Sequence, residues 1–368
     1  MTSKKRITFF LDALHGGGAE KAVVNLIKGL ALRDKFELDL VLATKEGPYL
    51  DLVPPEVNII DLQAGRSVTA TLPLRKYLRQ TRPWAVIGNM GHVNVVAVMA
   101  KELSMIKTRL LLVEQNTLSA NKSKLRRAKF VPLVMEWLYP RADIVAAVSA
   151  GVARDLEEQI KLPHNSVEVL FNPVVDQDLI TKSEAPLDHP WFENGTPPVF
   201  LAVGRLTPQK DFPNLLAAFA QVRKQQSAHL IILGEGEERQ ALETMIDDLD
   251  LTEDVLLPGF VSNPYAYMKQ ASCFVLSSIQ EGLPTVLIEA MACGCPVVAT
   301  DCPSGPDEIL AGGIYGSLVP MQNSSALAAA MRSALNNPLA SELLTKRAHE
   351  YSTDKAVDAY LAVLDQCQ

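Results

Sequence analysis

Two glutamates, Glu281 and Glu289, stand in a segment whose pattern favours a ligand site. The apolar run 273–276 predicts a buried strand, a turn with Glu281 follows, and residues 285–292 predict a helix that contains Glu289. Since a helix rises ~1.5 Å per residue, the carboxylates are on the order of 10 Å apart, wider than the ~5 Å of a retaining glycosidase pair. The helix N-terminus at Thr285 can bind a phosphate between them. The spacing suits a nucleotide sugar; the alternative is a turn residue and a solvated helix residue.

Arg205 and Lys210 follow the predicted strand 199–203 and can clamp the same diphosphate. An arginine binds two oxygens in a fork, and a lysine adds a point charge. The alternative is a surface loop whose charged residues serve only solubility. No protein nucleophile is evident, so the expected chemistry is cleavage of a sugar–phosphate bond by groups that stabilise charge.

A glycine-rich loop at residues 16–18 follows the first predicted strand, 7–11, and precedes a helical pattern over 19–32. Glycine lets the backbone approach a ligand closely because it has no Cβ. Gly16 and Gly18 match the first half of a dinucleotide-binding fingerprint, but Lys21 stands where the third glycine belongs. A glycine turn that binds nothing is the other alternative.

Three motifs, in this order, resemble the retaining glycosyltransferases of family 4. They are Gly16-Gly17-Gly18-Ala19-Glu20, Gly204-Arg205-Leu206 with Lys210, and the segment from Glu281 to Glu289. The resemblance covers nearly the whole chain. It implies transfer with retention of the α configuration, in which the departing phosphate takes the acceptor proton.

The same resemblance implies roles for individual residues. The residues expected to act in catalysis are Glu281, which would hold sugar hydroxyls, Arg205 and Lys210. The residues expected to bind the donor are Gly17, Gly282, Leu283, Pro284, Thr285 and Glu289, the last through the ribose hydroxyls. The donor, expected to be a UDP-sugar, is then a substrate, and no cofactor is expected.

Polar groups at two other predicted strand ends are candidates for an acceptor site. His92 follows the strand 84–88, and Gln115 and Asn116 follow the strand 110–113. Ligands of parallel sheets lie at the carboxyl ends of strands. Many members of the family have a histidine where this chain has Gln115, so Gln115 is expected only to orient an acceptor by hydrogen bonds. The alternative for His92 is a histidine satisfied by its neighbours.

The order of the elements predicts the fold. Repeated strand–helix alternation predicts parallel sheets with helices on both faces, and 368 residues exceed the usual size of one core. The expected class is α/β, and the resemblance to family 4 implies the GT-B type, with two Rossmann-like domains facing a central cleft. Residues 1–173 are the expected acceptor domain, 174–198 the connection and 199–351 the nucleotide-sugar domain. The resemblance also implies that the last helix, within 352–368, crosses back to the first domain.

A basic segment points to the location of the protein. Its residues are Lys122, Lys124, Arg126, Arg127 and Lys129, and apolar and aromatic residues follow at 130–139. This pattern suits peripheral contact with an anionic membrane, where each basic residue contributes about 1 kcal/mol; a solvated face is the alternative. Nucleic acid is a poorer partner, because no recognisable binding module or aromatic platform accompanies the charges.

The composition of the chain indicates the cellular compartment in which the protein works. No apolar stretch is long enough to span a bilayer, and the N-terminus lacks the apolar core of a signal peptide. Five cysteines without metal-ligand spacing predict reduced, buried thiols. The first 173 residues carry a net positive charge and the remainder a net negative one, within an overall charge of −7. We expect a cytoplasmic protein at the inner face of the cell membrane.

Two Asp-x-Asp pairs, Asp176 with Asp178 and Asp248 with Asp250, match the metal-binding pair of another class of sugar transferases. Neither follows a strand at the ligand edge, so no metal is expected.

The expected function is transfer of a hexose or N-acetylhexosamine from a nucleotide sugar to a lipid-linked glycan precursor. A transferase with a soluble acceptor and a non-catalytic nucleotide-sugar-binding subunit stay open as alternatives.

Overall fold

The computed structural model describes residues 4–119 and 131–366 of the chain. The chain divides into two units: the first comprises Met1–Val174 and Thr353–Gln368, the second Val175–Ser352. Residues 175–198, expected as a connection, lie in the second unit. No helix among the described residues is both long enough and apolar enough to cross a membrane.

The elements of the described residues follow in chain order. The strands are β1 (Lys5–Leu11), β2 (Phe36–Leu42), β3 (Asn58–Asp61), β4 (Ala85–Asn89), β5 (Arg109–Glu114), β6 (Ile144–Ala147), β7 (Glu168–Val169), β8 (Val199–Val203), β9 (His229–Leu233), β10 (Val255–Gly259), β11 (Cys273–Leu276), β12 (Val297–Thr300) and β13 (Ser317–Val319). The α-helices are α1 (Gly18–Leu32), α2 (Thr71–Thr81), α3 (Gly91–Ser104), α4 (Val131–Leu138), α5 (Ala150–Ile160), α6 (Gln177–Ser183), α7 (Phe212–Arg223), α8 (Arg239–Asp248), α9 (Pro264–Gln270), α10 (Thr285–Ala292), α11 (Pro306–Leu310), α12 (Ser324–Asn336), α13 (Ser341–Ala348) and α14 (Thr353–Gln366).

The first unit is built on a parallel sheet whose strand order, within the described residues, is β3-β2-β1-β4-β5-β6-β7. From Ile7 to Leu11 strand β1 is apolar except for Thr8, and it pairs in parallel with β2 and β4, so that Ile7 lies beside Leu38 and Ala85. These five buried residues suit a parallel strand that is covered on both faces. The chain runs outward from β1 in one direction and from β4 in the other, so the topological switch point lies between these two strands.

Helix α14 completes the first unit. It packs on α1 at Gly29, where an added Cβ would lie 2.6 Å from Cγ2 of Thr353 and 2.7 Å from Cγ2 of Val357. Its buried side includes Val357, Tyr360 and Leu364. The prediction that the last helix returns to the first domain is therefore confirmed.

The second unit is built on a second parallel sheet, with the order β10-β9-β8-β11-β12-β13. Its core includes Phe200 and Phe219, whose rings meet edge to face at 6.2 Å. The switch point of this sheet lies between β8 and β11. With two parallel-sheet α/β units, the predicted fold class is confirmed.

The segment Glu235-Gly236-Glu237 predicts the start of a helix from the sequence alone, and the structure contradicts that start. The helix begins only at Arg239, because residues 235–238 bond to the loop after β8 instead. Leu206 donates its N–H to the carbonyl of Glu235 at 2.9 Å, and Glu238 donates its N–H to the carbonyl of Leu206 at 3.0 Å. These bonds hold the two loops together at the carboxyl edge of the sheet.

Candidate active site

A buried ion pair lies at the switch point of the second unit. Nζ of Lys210, from the loop after β8, lies 2.7 Å from Oε1 of Glu281, from the loop after β11. The side chains are only 15% and 9% exposed. Buried charges need such pairing, because each loses its hydration. The structure thus brings together two residues that the sequence predicted separately as catalytic groups.

The two loops that carry this pair are tied to each other. Ser277 donates its hydroxyl to the carbonyl of Lys210 at 2.6 Å, and the side-chain amide of Gln209 donates to the carbonyl of Gln280 at 2.8 Å. The stem of Lys210 passes over Gly204, where a Cβ would lie 3.0 Å from its Cε. Arg205, the other predicted cation, is exposed in the same loop. The loops therefore fix the ammonium and carboxylate before any ligand enters.

Glu289 is held by a residue that sequence reasoning missed. It is 4% exposed in the middle of α10, among apolar neighbours. Tyr265 of α9, itself 6% exposed, donates its hydroxyl to Oε1 of Glu289 at 3.2 Å. A glutamate within an apolar helix requires a hydrogen-bond donor from elsewhere, and that requirement is the signal that could have prompted a search for Tyr265.

The turn between the two glutamates packs against the loop after β12. Ser304 donates its hydroxyl to the carbonyl of Gly282 at 2.9 Å. Gly305 has φ of +95°, and a Cβ there would lie only 2.4 Å from Cδ of Pro284. Pro284 is the N-cap of α10, and no side chain caps this end. Backbone N–H groups at such a terminus favour an anion.

The glycine-rich loop of the first unit has an internal partner. The N–H groups of Gly16 and Gly17 donate to Oε2 of Glu20 at 2.7 and 3.0 Å. Tyr49 donates its hydroxyl to the carbonyl of Gly16 at 3.1 Å. The carboxylate of Glu20 caps the start of α1, so a phosphate that uses the same N–H groups must replace it. Donor binding by Gly17 stays a prediction.

The acceptor candidates of the first unit lie in different surroundings. His92 is in the first turn of α3, with Nε2 4.0 Å from Oδ2 of Asp12. Gln115 is buried and exchanges two hydrogen bonds with the amide of Asn172, at 3.1 and 2.8 Å. Asn116 is exposed. The amide group of Gln115 is therefore already hydrogen-bonded within the protein.

A buried carboxylate at the end of β5 was not predicted. Glu114 is 3% exposed and accepts hydrogen bonds from the hydroxyl of Tyr139 and, at 2.7 Å, from the amide of Asn94. Burial raises the pKa of Glu114 to about 7, although both hydrogen bonds act in the opposite direction. Glu114 directly precedes the acceptor candidates Gln115 and Asn116, but nothing in the sequence indicates that its side chain is enclosed.

The basic residues predicted to contact a membrane, Lys122, Lys124, Arg126, Arg127 and Lys129, lie outside the described residues. The helix that follows them, α4, exposes Leu133, Val134 and Trp137 at 56%, 43% and 64%. With Met99 and Leu138 these side chains line an apolar cavity of about 390 Å³. The guanidinium of Arg141 lies 3.7 Å from the centre of the Trp137 ring. We call this set the α4 apolar surface.

The first Asp-x-Asp pair makes local contacts. Asp176 caps α6 by accepting from the N–H of Leu179 at 2.8 Å, and Asp178 pairs with Lys182 at 2.6 Å. Across the parts of the chain that the structure describes, no cluster of three or more histidines, cysteines or acidic residues could hold a metal ion.

The cysteines among the described residues are buried and form no disulfide. They are Cys273, Cys293, Cys295 and Cys302. Burial raises the pKa of the Cys302 thiol to about 12. Thiols held in this way are inert.

Comparisons with known proteins define the class. The family model described as "Glycosyl transferases group 1" matches residues 186–352, and the model described as "Glycosyl transferase 4-like domain" matches residues 17–173. The first match contains Arg205, Lys210, Glu281 and Glu289, and the second begins inside the glycine-rich loop, at Gly17. The chain belongs to the family 4 glycosyltransferases, as its motifs predict.

Individual relatives cover nearly the whole chain. The N-acetylgalactosamine-N,N'-diacetylbacillosaminyl-diphospho-undecaprenol 4-alpha-N-acetylgalactosaminyltransferase of Campylobacter jejuni is 30% identical over 90% of this chain and 91% of its own. Among solved structures, Anabaena HepE in complex with UDP and glucose has a TM-score of 0.81 at 21% identity, covering 98% of this chain and 100% of its own. The lipopolysaccharide outer core galactosyltransferase WaaB in its apo form has a TM-score of 0.76 at 20% identity, covering 98% and 99%. The two structures establish the GT-B fold.

Proposed function

We propose that this protein is a retaining, metal-independent glycosyltransferase that moves a hexose or N-acetylhexosamine from a UDP-sugar to a lipid-linked glycan precursor. The observation that carries the proposal is the buried pair of Lys210 and Glu281 at the switch point of the second sheet. Ligands of such sheets bind outside the strand ends at this point. The names of the relatives support the substrate classes: one acts on a diphospho-undecaprenol-linked saccharide, and another is solved with UDP and glucose.

Each group has its own role in this proposal. Lys210 and Arg205 stabilise the charge that develops on the diphosphate as the sugar–phosphate bond breaks. The turn of Gly282, Leu283 and Pro284 directs the start of α10 at Thr285, and its N–H groups, toward the same phosphates. Glu281 orients the sugar through its hydroxyls, and Glu289 holds the ribose hydroxyls. Gly17 binds the diphosphate from its own loop.

Mutation of the charged groups tests the proposal. Arg205→Ala should lower kcat by two to three orders of magnitude, since loss of one contact to developing charge costs ~2.7–4 kcal/mol. Glu281→Ala should lower kcat by about two orders of magnitude, because the sugar loses the group that orients it. Glu243→Ala is the matched control, because Glu243 forms an exposed pair with Arg239 in the same unit. The assay is transfer from UDP-N-acetylgalactosamine, with donor hydrolysis as a second readout and a chelator in a parallel sample. Near-normal turnover in either variant removes the assigned role, and a chelator-sensitive rate removes metal independence.

We further propose that the protein works at the inner face of the cell membrane through peripheral contact. Two features support this: the basic residues between Lys122 and Lys129, and the α4 apolar surface that follows them. Basic residues beside exposed apolar side chains suit an anionic bilayer surface.

A vesicle flotation assay tests the location. Replacing the five basic residues by glutamine should release the protein from vesicles that contain anionic lipid, and Trp137→Ser should weaken binding further. Neutral vesicles serve as the control. If the five-residue variant floats with anionic vesicles as the wild type does, this surface is not the contact.

A further inference from the structure

The switch point of the first sheet carries its own pair of polar side chains. Asp12 follows β1 directly, and His92 lies in the first turn of α3, which follows β4. In the second unit the corresponding place, between β8 and β11, holds Lys210 and Glu281. Since ligands of open parallel sheets bind at the switch point, the same topological argument applies to both sheets.

The geometry of this pair leaves room for one oxygen atom. Nε2 of His92 lies 4.0 Å from Oδ2 of Asp12, too far for a direct hydrogen bond. Ser67 donates its hydroxyl to the other carboxylate oxygen, Oδ1, at 2.7 Å and so orients the carboxylate. A hydroxyl oxygen about 2.8 Å from each atom fits between them, where it donates to Asp12 and accepts from His92.

Exposure and charge indicate the kind of ligand. The side chains of His92 and Asp12 are 55% and 38% exposed, so a solute reaches both. A carboxylate repels phosphate but accepts well from a sugar hydroxyl. The site therefore matches a neutral, hydroxyl-bearing group.

We propose that Asp12 and His92, oriented by Ser67, form a subsite that binds a hydroxyl of the acceptor sugar. The identification of that sugar as the acceptor rests on the proposed function. Asp12 and His92 contact the ligand, whereas Ser67 is a positioning residue.

Kinetics with two substrates test the subsite. The probes are UDP-N-acetylgalactosamine as donor and a synthetic polyprenyl diphosphate that carries an N-acetylgalactosamine-terminated saccharide as acceptor. Asp12→Asn and His92→Gln should each raise the acceptor KM roughly tenfold, the size of one lost hydrogen bond to a charged or strongly polar group. The donor KM and the rate of donor hydrolysis should not change, whereas a merely structural role of these residues would alter both. Ser67→Ala should raise the acceptor KM by less.

His164→Gln is the matched control for these variants. His164 is also exposed, with Nδ1 3.7 Å from Oε2 of Glu157, but it lies between α5 and β7, away from the switch point. It should leave both KM values unchanged. An unchanged acceptor KM in Asp12→Asn and His92→Gln, or an equal rise in the donor KM, overturns the subsite.

A binding measurement separates this proposal from the proposed function. Methyl α-N-acetylgalactosaminide, added to the full-length wild type, should shift the NMR signals of the His92 imidazole, assigned by their loss in His92→Gln. The other five of the six histidines should not move. If the wild type transfers no sugar from any nucleotide donor, the proposed function fails, and a shift at His92 still supports a sugar subsite. No shift at His92 overturns the subsite even when transfer is observed.

Discussion

Lys210 and Glu281 balance each other's charge, and this bears on how a donor enters. Under the proposed function, a diphosphate that approaches the ammonium competes with the carboxylate 2.7 Å away. A sugar hydroxyl that donates to Glu281 then compensates that carboxylate. Donor binding thus exchanges one ion pair for two contacts with the ligand, and little charge is left unpaired at any stage.

The hydroxyl of Tyr265 should tune the affinity for the donor through Glu289. Tyr265→Phe removes only the oxygen that donates to Oε1 of Glu289. We expect the KM for the UDP-sugar to rise roughly tenfold, with a smaller change in kcat, because a hydrogen bond to a charged group is lost away from the breaking bond. Steady-state kinetics with the UDP-sugar measure both constants.

Two comparisons sharpen this measurement. Tyr267→Phe alters the same helix, where the Tyr267 ring contacts Phe192 at 6.0 Å, and should leave the donor KM unchanged. A donor that lacks the ribose hydroxyls should bind equally well to the wild type and to Tyr265→Phe. A penalty that persists with that donor contradicts action through Glu289.

Glu114 should make the stability of the protein depend on pH. Its pKa in the folded protein is raised by burial to about 7 from an ordinary value of 4.5. Between these values the folded state keeps a proton that the unfolded state has lost, so stability present at low pH is lost as pH rises. We expect the wild type to lose about 3 kcal/mol over this window relative to Glu114→Gln, and nothing further above it.

Denaturant unfolding of the wild type and of Glu114→Gln from pH 5 to pH 8 measures the difference. Glutamine keeps an oxygen that can accept from Tyr139 and Asn94, so the comparison isolates the charge. A stability difference that stays constant across this range would show that Glu114 does not titrate in the window.

At the scale of elements, the turn before α10 depends on the loop after β12. Gly305→Ala places a methyl group 2.4 Å from Cδ of Pro284 and strains a backbone with φ of +95°. Overpacking and backbone strain together should lower the free energy of unfolding by about 3 kcal/mol. Because the turn must shift, the affinity for UDP should also fall. Thermal unfolding and calorimetric titration with UDP measure the two effects.

Gly312→Ala is the control for this substitution. Gly312 also has a positive φ, +68°, but nothing lies within 4 Å of an added Cβ. It should cost only the backbone penalty of about 1–2 kcal/mol and leave UDP affinity unchanged. Equal losses of affinity in both variants would mean that Pro284 is not displaced by contact with residue 305.

Elements whose signals are local were predictable from the sequence. A serine before a helical pattern is a typical N-cap, and the side chain of Ser149 accepts from the N–H of Val152 at the start of α5. Strand β8 has the predicted bounds, Val199–Val203, because it is an uninterrupted apolar run. The predicted start of α8 was wrong because the backbone hydrogen bonds of Leu206 with residues 235 and 238 override the local pattern. A short sequence window around residue 235 does not contain Leu206.

The candidate site, too, was predictable only where its signals are local. Arg205, Lys210, Glu281 and Glu289 stand in motifs short enough to recognise. The contacts that position them are not local: Lys210 and Glu281 are 71 positions apart, and Tyr265 and Glu289 are 24 apart. Asp12 was not predictable as a site residue, because its partners are distant in sequence: Ser67 follows β3, and His92 lies in α3. Only the strand order brings such residues to one edge.

At the scale of the molecule, each unit repeats one plan. Both have a parallel sheet with a central switch point and polar loops at its carboxyl edge. The repeated strand–helix alternation was enough to predict this plan, because its period extends over the whole chain. The predicted roles follow from the loops instead, which differ between the units in charge: a cation and carboxylate in one, a carboxylate and imidazole in the other.

The second unit begins and ends at neighbouring points, since Val175 donates its N–H to the carbonyl of Tyr351 at 3.2 Å and pairs with Ser352. It is thus a cassette inserted into the first unit, whose last segment is Thr353–Gln368. On the ribosome, the nascent first unit must wait for α14, which is synthesised only after the cassette. Evolution could exchange such a cassette through two adjacent junctions, and under the proposed function the choice of donor would change with it.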